Sequence, residues 1–380
     1  MKIVLVSHQD NRDIRAFSGT SYFMSRAIKK HFEEVEEVFL PEPEELLALV
    51  HHNGIEQALK PIGINLSNYL KDNHVNADFI ICQGGSSSIP YTDSKIPIVL
   101  WHDSTWHTFL HGYSTDASFN EFKTVSQNLY NWDRSVLERA DLLVYSSNYI
   151  AEACVAHYKI GTGKLKIIPF GANIHEHPIA SIVDEGLRKR KESKVINLTF
   201  LGIDWKRKGL ESAFQLTKSL NKIGFKAMLN IIGCYPDDAA IADSEFTIIR
   251  GKLDKSKHAD LALFESIMQE THFLLHPAIS EPFGIAMCEA NAYGVPILGS
   301  AVEGLKTIIV NDKNGYLIDR ENFVKHGLKL ITHIFSDFDK FYVPLFHGSL
   351  EEFNQRLNWT SSVLELKKVL KNIADNKVSG

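Results

Sequence analysis

Short apolar runs alternate with longer segments of helical period along the whole chain. In the first half the pattern predicts a strand at Ile3–Val6, then a helix entered through Ser18-Gly19-Thr20 and carried by Met24, Ala27 and Ile28. A helical region follows Pro43. The strand Phe79–Cys82 ends at Gln83-Gly84-Gly85-Ser86, and Ile98–Trp101 is the next strand. A long helix is expected over Asn120–Arg139, a strand over Leu142–Tyr145, a helix over Ser147–Tyr158 and a strand over Leu165–Pro169. Buried parallel strands read as unbroken Ile/Val/Leu runs, and parallel pairing needs helical crossovers, so repeated βαβ units explain the alternation most simply.

Between Gly171 and Lys194 the periodicity lapses. The tract His175-Glu176-His177-Pro178 and the charged RKRKESK read as a solvated linker or helix edge. The pattern then restarts with predicted strands Ile196–Leu201, Ala227–Ile232, Phe246–Ile249, Phe273–His276 and Pro296–Leu298. Helices are predicted over Gly209–Ile223, Lys257–Met268 and Phe283–Tyr293, with a short one near Lys306. Gly294 followed by Pro296 is a helix stop in the usual order. The tail from Glu351 to Asn376 reads as helices, with Trp359, Val363, Leu364, Leu366 and Leu370 as its apolar stripe. The architecture predicted is α/β: two Rossmann-like, doubly wound domains facing a cleft. Ligands are expected beyond the carboxyl ends of the strands. The expected boundaries are 1–173, a linker at 174–194, and 195–357.

Composition narrows the function without naming it. A chain of 380 residues with 44% hydrophobic and 23% charged side chains can bury two sizeable cores, which excludes a disordered scaffold. A net charge of −5 excludes a nucleic-acid grip over the whole surface but permits a local basic pocket. The four cysteines, Cys82, Cys154, Cys234 and Cys288, stand far apart with no CxxC, so neither a disulfide framework nor a structural zinc site is expected. The apolar start Ile3–Val6 is too short for a signal peptide, and no run approaches the ~18 apolar residues of a membrane span. The expected location is cytoplasmic. Peripheral membrane contact is left open by a basic patch of Arg12, Arg15, Arg26, Lys29 and Lys30.

Candidate chemistry concentrates in two stretches. In HPAISEPFGIAMCEANAYGVPILGS, residues 276–300, a strand ends at His276 and a helix is expected to open near Pro282-Phe283-Gly284. The amides of Phe283, Gly284 and Ile285 would then point at a ligand phosphate, favoured by the helix dipole. Glu289 lies further along, and helical side chains lean toward the N-terminus, so its carboxylate can reach a hydroxyl pair near the helix start. The same two acids, Glu281 and Glu289, would also suit an ordinary helix N-terminus, and residue types alone leave both readings open. In FLGIDWKRKGL, residues 200–210, Lys206, Arg207 and Lys208 sit at a strand-to-helix turn, as an anion pocket or as a solvated basic turn. Gly19 and Gly84-Gly85 could form backbone nests, and tight turns would explain them equally.

These stretches, in this order, resemble the retaining family 4 glycosyltransferases of the GT-B fold. That family's signature of two glutamates separated by seven residues is matched by Glu281 and Glu289 in EPFGIAMCEANAYGVP. The resemblance continues through Glu303-Gly304 and Asn314-Gly315-Tyr316-Leu317, and upstream through Gly233, Arg250-Gly251-Lys252-Leu253 and Lys208-Gly209. It is weaker in the N-terminal half, where it rests on Gly19, His102, Ser146-Ser147 and IPFGAN. The resemblance implies that Glu281 meets donor-sugar hydroxyls, Glu289 the ribose, and Lys208 with the Phe283 and Gly284 amides the diphosphate. It implies that His102 lies near the transferred sugar and the acceptor, and that a terminal helix of about 358–380, beginning near Trp359, packs back on the first domain. The family's usual arginine after the strand-ending glycine is Ile203 here; either Arg207 or Lys206 supplies the missing cation or phosphate neutralisation is weaker than usual, and Arg207, beside the matching Lys208, is the favoured substitute. Backbone around Gly251 and Lys252 is expected to meet the base.

The function implied is transfer of a hexose from a nucleotide diphosphate-sugar to an acceptor hydroxyl, with retention and no metal. The acceptor, whether glycan, lipid-linked or small molecule, is not specified. The alternatives are a non-catalytic sugar-nucleotide or glycan-binding subunit and a sugar-nucleotide epimerase of the same architecture. A metal reading of His102, His107 and His111 lacks an acidic ligand. Asp337 and Asp339, the lone Asp-x-Asp, read as a solvated turn.

Overall fold

The computed structural model describes residues 1–8, 10–41, 54–83, 86–112 and 127–378. The stretch just after Pro43, the start of the helix expected from Asn120, and Gly84-Gly85 lie outside the described residues. The chain forms two compact units, Met1–Phe170 with Trp359–Gly380, and Gly171–Asn358.

The first unit is built on a parallel sheet of six strands: β1 (Lys2–Ser7), β2 (Glu34–Phe39), β3 (Phe79–Gln83), β4 (Ile98–His102), β5 (Leu142–Tyr145) and β6 (Leu165–Ile167). Their order is β2-β1-β3-β4-β5-β6. The apolar runs of β1, β3, β4 and β5 are buried, as a sheet covered on both faces requires. The register pairs Ser7 with Gln83 and His102 with Tyr145, which aligns the carboxyl ends of four strands. The strand β2, of sequence EVEEVF, has no counterpart among the predicted strands. It is an edge strand whose acids face outward partners: Lys29 meets Glu37 at 2.5 Å, and the Tyr69 hydroxyl donates to Glu36. The terminal helix Trp359–Val378 packs into this unit. The Trp359 ring packs tilted at 5.4 Å from Phe170 and edge-on at 6.0 Å from Trp101, and Lys367 donates to the His31 carbonyl at 2.7 Å.

The second unit carries β7 (Ile196–Leu201), β8 (Ala227–Ile232), β9 (Thr247–Gly251), β10 (Phe273–His276), β11 (Ile297–Ser300) and β12 (Gly315–Ile318). Their order, β12-β11-β10-β7-β8-β9, runs outward in both directions from the β7/β10 neighbours. That reversal is the place where an open α/β sheet leaves a crevice at its carboxyl edge. Gly209, at φ +79, lets the loop after β7 lie against the loop after β10; a Cβ there would collide with the Pro277 carbonyl.

Two expectations need correction. Residues 180–192, placed in a linker, form the helix Ala180–Glu192 and belong to the second unit. The helical period puts Val183, Gly186 and Arg190 on one buried face and turns the remaining charges outward, where Arg188 pairs with Glu185 and Glu192. The Asp-x-Asp is not a free turn either. Asp337 caps the helix Phe338–Arg356 by accepting from the Lys340 amide, and Asp339 pairs with Lys191 at 2.6 Å.

Among the described residues no helix is long and apolar enough to cross a membrane.

Candidate functional site

The loops that follow β7 and β10 meet at the sheet's reversal point and bring together side chains some seventy residues apart in sequence. Lys208 donates to Glu281 Oε2, and the same oxygen lies 2.9 Å from His276 Nε2. Burial by itself would raise the Glu281 carboxyl. Lys208, His276 and Arg207 outweigh it and hold the group well below the usual carboxylate range. Burial pulls the Lys208 ammonium down from its ordinary value, and Glu281 opposes that shift. The result is an ionised acid and a desolvated cation in one place, where an arriving anion would be felt strongly.

The rest of the loop is fixed from two sides. Glu303, after β11, accepts from Ser280 Oγ at 2.7 Å and from the Glu281 amide at 2.8 Å. The Gly304 amide donates back to the Glu281 carbonyl at 3.0 Å, and a Cβ on Gly304 would strike the Pro282 carbonyl. Arg207 is the third clamp. It is buried, with Nε on Asp204 at 3.0 Å and Nη1 on the Ser280 carbonyl at 2.8 Å. This corrects the expectation that Arg207 stands in for the missing phosphate cation at Ile203. Its guanidinium is turned inward to hold the loop that carries Glu281, while Ile203 is 67% exposed.

The helix expected near Pro282 begins three residues later, as Ile285–Ala292, with Gly284 as its N-cap at φ +105. That left-handed residue breaks the helical run, so Phe283 turns into the core and Ile285 and Ala286 are the partly exposed residues of the first turn. Glu289 lies on this helix, and Lys255 Nζ meets its Oε1 at 2.6 Å. Burial pushes the Glu289 carboxyl up, and Lys255 counteracts it. Gly251, at φ +65, closes β9 with the Tyr235 ring packed over it, and Lys252 beside it is exposed.

In the first unit the expected residues lie at the carboxyl edge of the sheet or beside it. Gly19, at φ +87, follows Phe17 and Ser18, both also left-handed, so two strained residues and a glycine that adopts this backbone without strain lead into the helix Thr20–His31. His102 ends β4. Burial lowers its pKa to about 4, so it is neutral at physiological pH, and among the described residues its Nε2 has no hydrogen-bond partner. His107 stacks on His111 and His157, not with His102, and no group of three or more metal-binding side chains gathers among the described residues. In the basic patch, Arg12 and Arg15 are forked onto Asp10 and Asp13, and Lys29 onto Glu37, which removes much of its net charge.

Sequence reasoning gave no role to the side chains of Gln83 and His8 and mentioned Ser146 only within a resemblance. Among the described residues, neither amide atom of Gln83 (4% exposed), nor Ser146 Oγ (0% exposed), nor His8 Nδ1 has a hydrogen-bond partner. They end β5, β3 and β1 or directly follow them, so buried polar groups without partners line one end of the sheet. The usable signal was a polar residue closing each apolar run. A buried amide without partners costs about 1–3 kcal/mol. Gln83→Met is therefore expected to raise stability by about 1 kcal/mol, read as a higher Tm; a lower Tm would show that the amide is bonded in solution.

Two doubly wound parallel sheets, each with a crevice at its carboxyl edge, define the GT-B class, and solved structures of that class match the whole chain. Sucrose-phosphate synthase from Thermosynechococcus elongatus superposes with a TM-score of 0.70 at 16% identity, covering 99% of this chain and 100% of that one. The Anabaena protein HepE, solved in complex with UDP and glucose, gives 0.65 at 14% identity over 98% of this chain and 99% of that one. At such identities the likeness is one of fold. Residues 186–337 match the family described as glycosyl transferases group 1, and this stretch carries Lys208, Glu281 and Glu289. The match covers less than half the chain and supports the general family that the motifs resemble. An uncharacterised 41.2 kDa protein in the cps region of Klebsiella pneumoniae is 22% identical over 201 residues, 53% of this chain. That alignment spans about half of the relative, 54% of its length.

Proposed function

We propose that the protein is a glycosyltransferase that moves a hexose from a nucleoside diphosphate-sugar to an acceptor hydroxyl, with retention, in the manner of family 4. The observation that carries this reading is the Lys208–Glu281–His276 cluster at the reversal point of the second sheet, beside the start of the helix Ile285–Ala292. A family match over the same residues and fold neighbours solved with UDP and glucose support it.

In this reading Lys208 and the helix start receive the diphosphate, Glu281 accepts from sugar hydroxyls, and Glu289 accepts from the ribose. The backbone around Gly251 and Lys252 meets the base. The bond from the anomeric carbon to the phosphate breaks while that to the acceptor oxygen forms on the same face, and the acceptor's proton passes to the departing phosphate oxygen. Charge grows on the diphosphate as it leaves, so a cation already in place stabilises the transition state more than the ground state. His102, neutral, can donate to or accept from a hydroxyl at the edge of the first sheet.

No divalent metal is needed, because Lys208 and the helix start supply the positive charge, and Asp337 and Asp339 are engaged as a cap and an ion pair. The acceptor proposed is a growing polysaccharide or glycoconjugate, and the site of action the cytoplasm. A thermal-shift screen of UDP-, GDP- and ADP-sugars tests the donor. A ligand at a hundred times its Kd stabilises by about 2.7 kcal/mol. One donor is expected to raise Tm, to release free nucleoside diphosphate slowly, and to do both after exhaustive EDTA treatment. No shift and no release with any donor would overturn the transferase reading; loss with EDTA and recovery with Mg²⁺ would overturn only its metal independence.

A further inference from the structure

We propose that Lys255 is a positioning residue that holds Glu289 as an ionised acceptor for the donor's ribose hydroxyls. The inference rests on the assignment of Glu289 to the ribose. Lys255 follows β9, whereas Glu289 sits on the helix Ile285–Ala292, so the fold brings them together from separate crossovers. The ammonium lies 2.6 Å from Glu289 Oε1, with side-chain exposures of 22% and 5%. It also sits over the Phe264 ring, 4.5 Å from the centroid, and this cation–π contact fixes the end of an otherwise flexible side chain. Phe264 is itself buried on the helix His258–Glu270, so the platform under the ammonium is rigid.

A carboxyl that is nearly enclosed favours its neutral form. Neutral, it carries a proton on one oxygen, which becomes a donor and a poor acceptor; ionised, both oxygens accept strongly, one from each hydroxyl. The nearby groups on its own helix and beyond do not supply a charge to keep it ionised. Cys288 is buried, and Tyr293, with Glu265 beside it, is pushed above the usual phenol range. Lys255 is the cation in contact. A buried ion pair contributes little to stability compared with well-packed apolar side chains. Its consequence is chemical: an acceptor kept charged and aimed where the helix begins.

Calorimetry on the full chain tests this. UDP, GDP and ADP are titrated to find the tightest, and its 2′,3′-dideoxy analogue is then compared. The wild type is expected to prefer the ribonucleotide by about tenfold or more, the worth of a charged acceptor to hydroxyls. Lys255→Met is expected to lose that preference by weakening the ribonucleotide alone, and Lys255→Arg to restore most of it. Lys255→Gln, which can still hydrogen-bond the carboxylate and so spares the fold, is expected to behave like Lys255→Met. If both neutral variants keep the wild-type preference, Lys255 only packs, and the positioning role is overturned while the ribose assignment stands. If the wild type itself shows no preference, the assignment of Glu289 to the ribose falls, and this inference with it.

Discussion

Lys208→Ala is expected to lower kcat by about 10²–10³-fold, with a smaller rise in KM for the donor. Removal of one preorganised group that stabilises developing charge typically has that effect. Lys208 is suited to the task because it is desolvated at the end of the β7 loop, where its charge is poorly screened. Its loss also leaves Glu281 buried with His276 as the partner on that oxygen, so the acid loses part of what keeps it ionised. Steady-state kinetics separate the effects: loss of transition-state stabilisation appears in kcat, loss of ground-state binding in KM. An unchanged kcat would reduce Lys208 to a structural partner of Glu281.

Arg190→Ala is expected to destabilise the second unit by about 3–5 kcal/mol, because several buried carbonyls lose a charged donor and each unsatisfied buried acceptor costs about 1–3 kcal/mol. Arg190 is 1% exposed. Its Nε and Nη2 donate to Gln269 O and Met268 O, and its Nη1 and Nη2 to Gly294 O and Tyr293 O, at 2.8–3.1 Å. Those carbonyls lie at the C-terminal ends of the helices His258–Glu270 and Ile285–Ala292, where the helix itself offers no donors and the dipole favours a cation. One guanidinium thus ties together the ends of the two helices that carry Phe264 and Glu289. Lysine has no planar fork to reach four acceptors, so Arg190→Lys should recover less than half the loss. Thermal unfolding reads both variants. A Tm within a few degrees of wild type for Arg190→Ala would show that water replaces the guanidinium without cost.

The elements most legible in sequence were those whose signal is local. The strands β7, β8 and β10 begin and end where their predominantly apolar runs do, because a strand covered on both faces is mostly apolar, with only a few bonded polar side chains such as Thr199 and Asn230. The edge strands β2 and β12 were missed for the converse reason, since a half-solvated edge carries Glu36, Glu37 or Tyr316 without penalty. The helix Ala180–Glu192 reads in sequence as a linker or helix edge because five of its last six residues are charged, and only a neighbouring pair of helix ends makes one of them an interior residue.

By itself the sequence determined two α/β halves and the places along the chain of most of their central strands, and it singled out Lys208, Glu281 and Glu289, with His102 in the first half, as candidates for the chemistry. Spacing along a chain shows which groups share a loop or a helix face. It does not show which groups share a charge. Only the tertiary structure placed Lys208 and His276 on one oxygen of Glu281, turned Arg207 inward as a clamp, gave Glu289 its partner in Lys255, and left Gln83 and Ser146 buried without partners among the described residues. These depend on contacts between loops that meet at the end of a sheet. There, burial and proximity, which the order of residues does not encode locally, decide whether a lysine is a solvated cation or a desolvated one.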